Sequence, residues 1–121
     1  MQQTKVAGTV ILNMEDGHKK FLVEHSDETI RFVKTDINDQ FTSLACILKE
    51  LKETVHLNTN ELELVELTNV QVDDYKMPLF VFSIDESQGV DLTDAKFVWE
   101  EPAILREVLQ GIQFEGVPYL C

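Results

Sequence analysis

The apolar positions fall into segments of two different periods. Val6 to Leu12 is a β-branched, apolar run that predicts a buried strand. Asp16-Gly17 then supplies a hairpin turn signal, and KKFLVEH, Lys19 to His25, the returning strand. TIRFV, Thr29 to Val33, predicts a third short strand, and KTDINDQ a polar loop anchored by Ile37. From Thr42 the period lengthens. Thr42 suits a helix N-cap, because its hydroxyl can accept an otherwise unpaired amide. Leu44, Leu48, Leu51 and Val55 follow at spacings of 4, 3 and 4, one helical stripe facing a core. Asn58 to Asn60 is the expected helix end. Glu61 to Leu67 alternates polar and apolar residues, as a strand with one wet face does. Pro78 precedes a second buried strand, Leu79 to Asp85. Glu86 to Asp94 is an acidic loop, and Lys96 to Trp99 a last strand. Pro102 and Gly111 punctuate a second helix, with Ile104, Leu105, Val108, Leu109 and Ile112 along one face. The tail, QFEGVPYLC, is apolar enough to pack back on the body.

Strands, helix, strands, helix is the order of an α+β fold whose helices cover a mixed sheet. The 121 residues suit one domain, 1–121, and no repeat or low-complexity linker divides them. Charge narrows the partners. A formal charge of −12 without a basic stripe repels phosphate backbones, so no nucleic-acid binding is expected. A small phosphorylated ligand stays compatible if a divalent cation bridges the two negative partners. Cys46 and Cys121 read as reduced thiols. The start lacks a signal-peptide layout and no run is long enough to span a bilayer, which predicts a cytoplasmic protein with no membrane partner.

The segment with most chemical content is KELKET, Lys49 to Thr54. At 100° per residue, Glu50 and Glu53 stand about 60° apart on the helix, well away from the apolar stripe. By themselves they fit an ordinary wet face, and Lys49 and Lys52 fit pairing with nearby acids. His18, His25 and His56 have no zinc spacing and read as surface residues. No nucleophile–histidine constellation and no glycine-rich phosphate loop can be traced, and Trp99 reads as core.

KELKET resembles the REUxEE core of the Nudix hydrolase signature, Gx5Ex7REUxEExGU, where U is a bulky aliphatic residue. Lys49 takes the arginine position, Glu50 and Leu51 the next two, and Glu53 the first glutamate of the pair. Thr54 takes the second glutamate, His56 the late glycine and Leu57 the closing aliphatic. Counting back, Thr35 falls on the opening glycine and Phe41 on the early glutamate. VAGTVILNMEDGHKKFLVEH also looks like the family's first two strands, and KFVWEEPAILREVLQ like its last strand and closing helix. The resemblance implies a Nudix-like fold: a mixed β-sheet flanked by two main helices in an α/β/α sandwich. It implies cleavage of nucleoside diphosphate derivatives with Mg²⁺ or Mn²⁺ held by carboxylates of this helix.

Here the box is degenerate. Two of its carboxylates remain, Glu50 and Glu53, with a neutral hydroxyl at Thr54 and a phenyl ring at Phe41. Thr35 resists the backbone angles that a glycine permits, so the loop into the helix is expected to take another shape. Glu50 and Glu53 are therefore the catalytic and metal-ligand candidates. A further acid could come from the Asp85–Glu86 loop, with Glu86 taken as the third ligand. Arg31 and Lys34 are candidates for a ligand's phosphate or for pairing with the acids of DIND, 36–39. The leading expectation is a Nudix-fold protein with weak or no pyrophosphohydrolase activity and a retained cleft for a nucleotide-like ligand. The alternatives are an active Mg²⁺-dependent hydrolase of a nucleoside diphosphate derivative, and a homodimeric interaction module.

Overall fold

A computed structural model describes residues 5–26, 29–38, 40–72, 75–88, 92, 95–104, 106 and 112–114. Along them run β1 (Lys5–Asn13), β2 (Lys19–Ser26), β3 (Thr29–Arg31), β4 (Val33–Asp36), α1 (Ser43–Glu53), β5 (Glu63–Val72), β6 (Tyr75–Asp85), β7 (Phe97–Glu100) and β8 (Ile112–Phe114). A second helical segment begins at Pro102, with 102–104 and 106 helical. The rest of that predicted helix through Gly111, the tail beyond Phe114, and most of the predicted acidic loop after Gln88 lie outside the described residues.

The strands make one mixed sheet in the order β3-β2-β1-β6-β5-β8, which together with the helices gives the expected α+β architecture. β1 organises it. One edge of β1 runs parallel to β6 from Ala7↔Leu79 to Asn13↔Asp85. The other edge is shared: Lys5 to Gly8 pair with β4, and Ile11 to Asn13 pair with β2. β7 joins the far side of β2 through Leu22↔Trp99 and its neighbours. The hydrophobic run of β1 is explained by burial on both faces. Val6, Val10 and Leu12 point to the α1 side with Leu22, Phe80, Phe82 and Ile84. Ala7 and Ile11 point to the opposite side with Phe21, Val23, Leu79 and Val81. Thr9, fully buried, donates its hydroxyl to the Leu22 carbonyl at 2.9 Å, so its burial leaves no polar atom unpaired.

α1 crosses the first of these faces. Thr42 caps it, accepting from the Ala45 amide at 3.1 Å, an interaction that contributes about 1 kcal/mol. The buried face centres on Cys46, Ile47 and Leu51, with Leu44 and Leu48 half-buried at its margin. Gly8 lets the helix sit close: a Cβ at that position would lie 2.6 Å from Ile47 Cγ1.

Several elements differ from expectation. The segment expected as a polar loop begins as β4, because Lys34 and Thr35 complete a ladder with Ala7 and Val6. β6 starts at Tyr75 and contains Pro78 rather than beginning after it. Among the described residues Pro78 faces a partner on the β5 side only, opposite Asn69, and β1 pairing begins at Leu79, so the missing proline donor interrupts no ladder on that side. α1 ends at Glu53, short of Asn58–Asn60, which instead start a 3-10 turn. β5 is a strand, as its alternation predicts, but Leu64, Val65 and Leu67 are exposed. A bulge between Leu64 and Glu66 breaks the alternation. Among the described residues β8 covers only Val70 to Val72 of the outer edge.

Candidate functional site

The site forms where β4 hands the chain to α1. Pairing of Lys5 with Asp36 holds the end of β4 beside the helix, and Lys5 Nζ reaches Asp36 Oδ1 at 2.7 Å. The polar flank of α1 that faces this corner carries Lys49, Glu50 and Glu53. Together with Thr35, Asp36 and Asn38 they line a cavity of ≈ 200 Å³ that has Cys46 in its wall. Glu50 is half-buried, and its Oε1 accepts from the Thr54 hydroxyl at 3.1 Å. Glu53 is exposed and stands 4.0 Å from Lys49 Nζ. The helix period thus places both glutamates on one cavity wall, as their spacing predicts.

A second concavity of ≈ 380 Å³ lies on the other side of Lys49 and Glu53. Phe41, Ala45, Leu48, Lys52 and Thr59 complete its lining. The turn before α1, the helix and the 3-10 turn after it meet only in space, so no local pattern announced this second cavity. Asp36 was equally hidden, as one acid of an apparent loop.

The remaining candidates lie elsewhere. Glu86 follows β6 at the Asn13 end of β1, whereas Asp36 pairs at the Lys5 end, about 27 Å away along the strand. Its Oε2 accepts from the Glu15 amide at 3.1 Å. Arg31 Nε donates to Glu24 Oε2 at 2.6 Å, and Lys96 reaches the other oxygen of Glu24 at 3.3 Å. Arg31 therefore neutralises a nearly buried carboxylate on β2 rather than an acid of 36–39. Lys34 sits in β4 opposite Ala7. His18, His25 and His56 are exposed, as read from the sequence. Trp99 packs half-buried against the core.

The positions of the degenerate box keep some of its geometry. His56 has a φ of +68°. This is the left-handed region a glycine enters without strain, and the sequence alignment puts the late glycine of the box there. Val55 N–H closes on the Glu50 carbonyl at 3.2 Å and Leu57 N–H on the Leu51 carbonyl at 2.9 Å, around the His56 bend. Thr35, by contrast, lies in β4 opposite Val6, a setting that favours a β-branched side chain.

A resident divalent cation needs several convergent oxygens. Among the described residues no group of three or more acids, histidines or cysteines gathers to hold one. Glu50 is engaged by Thr54 and Asp36 by Lys5, so the protein oxygens alone do not fit a resident metal. No helix among the described residues is long and apolar enough to cross a membrane.

No protein-family model matches the chain, and no curated protein matches it significantly. Solved structures do. A C. elegans Ap4A hydrolase in a binary complex superposes with a TM-score of 0.70 at 11% identity, over 88% of this chain and 86% of its own. A Nudix hydrolase of M. smegmatis, RenU, gives 0.66 at 9% identity, over 88% and 75%. The NUDIX domain of Shewanella oneidensis NrtR, complexed with ADP ribose, gives 0.59 at 11% identity, over 89% and 78%. The chain has the Nudix fold.

Proposed function

We propose that this is a Nudix-fold protein that binds a phosphorylated small molecule in the Glu50–Glu53 cavity and hydrolyses it weakly or not at all. The observation that carries this reading is the state of the acids. Glu50, Glu53 and Asp36 line one cavity, with the Thr54 hydroxyl donating to one oxygen of Glu50 and the Lys5 ammonium paired with Asp36. Such a wall can share a divalent cation with a ligand's phosphates, since Mg²⁺ is often held by one or two carboxylates plus substrate oxygens. It lacks the protein oxygens to hold and orient the ion alone. The phosphorylated partner is suggested by the fold, whose neighbours include a domain complexed with ADP ribose.

The test is thermal stabilisation with ADP-ribose and Ap4A, each with Mg²⁺, Mn²⁺ or EDTA, alongside an assay for released products. Saturation at 100 times Kd would stabilise by about 2.7 kcal/mol. The expected result is a metal-dependent shift without turnover, abolished in Glu50→Gln. Turnover that disappears in Glu53→Gln would establish the active hydrolase instead.

A further inference from the structure

We infer that the ≈ 380 Å³ cavity beside α1 is a second, metal-independent site for a small aromatic anion, a planar ring bearing a phosphate or carboxylate. Its charge is out of keeping with the chain. The whole protein carries −12, yet this wall has two lysines, Lys49 and Lys52, against one glutamate, Glu53. Neither cation is held in a close ion pair. Lys52 makes no ion pair among the described residues. Lys49 stands at 4.0 Å from Glu53 with both side chains more than half exposed, a geometry that contributes little. An anion entering here meets two ammonium groups without first having to displace a strong pair.

The apolar half of the cavity specifies the ring. Phe41 leaves 46% of its surface exposed at the mouth, and Leu48 and Ala45 extend its apolar surface along the helix. A flat aromatic group can stack on or against the Phe41 ring and gain both area burial and ring–ring attraction. Lys49 Nζ lies 5.6 Å from the centroid of that ring, so a ligand touching Phe41 has its anionic end within reach of the same ammonium. The volume is at the lower end of the range for small-molecule sites, about 300–1,000 Å³, which suits a mononucleotide or a smaller aryl phosphate. The inference does not rest on the metal-bridged reading of the neighbouring pocket, because the cations are supplied by the protein.

Titration calorimetry in EDTA with AMP, adenosine and inorganic phosphate tests it. AMP is expected to bind, with adenosine and phosphate each at least about tenfold weaker, since each retains only half of the contacts. Phe41→Ala should weaken AMP by about threefold or more, and Lys52→Glu by more than Lys52→Ala. Both side chains are exposed, so circular dichroism should be unchanged. Glu50→Gln should leave AMP affinity unaltered. No binding of AMP at millimolar concentration, or binding indifferent to both Phe41→Ala and Lys52→Glu, would overturn the inference. Loss of the Mg²⁺-dependent ADP-ribose shift in Glu50→Gln reads the other cavity, so the two proposals fail separately.

Discussion

His56 holds a φ of +68° that costs an L-residue roughly 1–2 kcal/mol relative to the right-handed region. The bend is required because Leu57, buried, must turn back under α1 to bond the Leu51 carbonyl. His56 itself is exposed, so a glycine there forfeits little buried surface. His56→Gly should therefore stabilise the fold by about 0.5–1 kcal/mol, the relief of strain less the extra unfolded-state freedom of glycine. A rise in Tm of about 2–4 °C is the expected reading, and a fall would show that the ring contributes a contact. Thr54 offers the complementary change. Its hydroxyl donates to one oxygen of Glu50, and Thr54→Glu replaces that neutral donor with a second carboxylate about 40° away on the helix. Mn²⁺ affinity, followed by calorimetry without substrate, should increase at least tenfold. These two positions were identifiable because helix spacing is rigid: once Glu50 and Glu53 are aligned, Thr54 and His56 follow by count. What spacing could not supply was the company of Glu50. Its bond from Thr54 and its neighbour Asp36 depend on rotamers and on a strand pairing that links residues far apart in the chain.

Between residues and molecule, the elements divide into those set locally and those set by their partners. The β1–β2 hairpin belongs to the first kind. Gly17 takes φ +91° in its turn, as the Asp16-Gly17 pair predicts. Asp16 Oδ1 accepts from the His18 amide at 2.9 Å while Oδ2 meets His18 Nδ1 at 2.9 Å. The hydrogen bond that His18 donates to the Asp16 carboxylate raises the His18 pKa above its ordinary 6.5, with the Asp16 charge adding to it and that of Glu101 adding less. The same hydrogen bond holds Asp16 below its ordinary 3.8. The signs are opposite. The contribution of His18 is complete below 6.5 and lost as pH rises through its raised value, whereas that of Asp16 is complete above 3.8 and lost as pH falls through its lowered value. The turn should thus be tightest between those two ordinary values. An NMR titration should place the His18 midpoint above 6.5 and return it toward that value in Asp16→Asn. β4 is the opposite case. Val33 to Asp36 has one apolar residue and no alternation to speak of, and it is a strand because β1 presents an open edge to it. That pairing brings Thr35 and Asp36 to the site, so the half of the cavity built by α1 was readable and the half built by β4 was not. The second cavity, closed by Phe41 and Thr59 from either end of the helix, needed the packed structure as well.

At the scale of the whole molecule, the position of each strand in the sheet decides which apolar residues matter. β6 lies between β1 and β5, and its Phe80 and Phe82 sit under the α1 face with ring centroids 6.4 Å apart. β5 is farther from β1, and its Leu64 and Leu67 stand opposite Phe82 and Phe80 in the ladder. Opposed residues share a face of the sheet, so the two leucines continue the apolar surface of β6 outward, beyond the cover that α1 gives it. Alternation in Glu61 to Leu67 was therefore a sound signal of a strand and a poor signal of burial. The energetic consequence is a steep gradient over one strand spacing of about 4.8 Å. Phe82 is 2% exposed, and Phe82→Ala removes a packed ring from the core at an expected cost of about 3–5 kcal/mol. Leu67 is 55% exposed, and Leu67→Ser should cost no more than about 1 kcal/mol, because about half of its surface stays in water on folding. Urea unfolding of the two variants at equal protein concentration measures the contrast, with the midpoint expected to fall far for Phe82→Ala and much less for Leu67→Ser. A loss above 1 kcal/mol in Leu67→Ser that shrinks on dilution would instead mean that Leu67 is covered by a second copy of the chain, since only an association equilibrium makes stability depend on concentration.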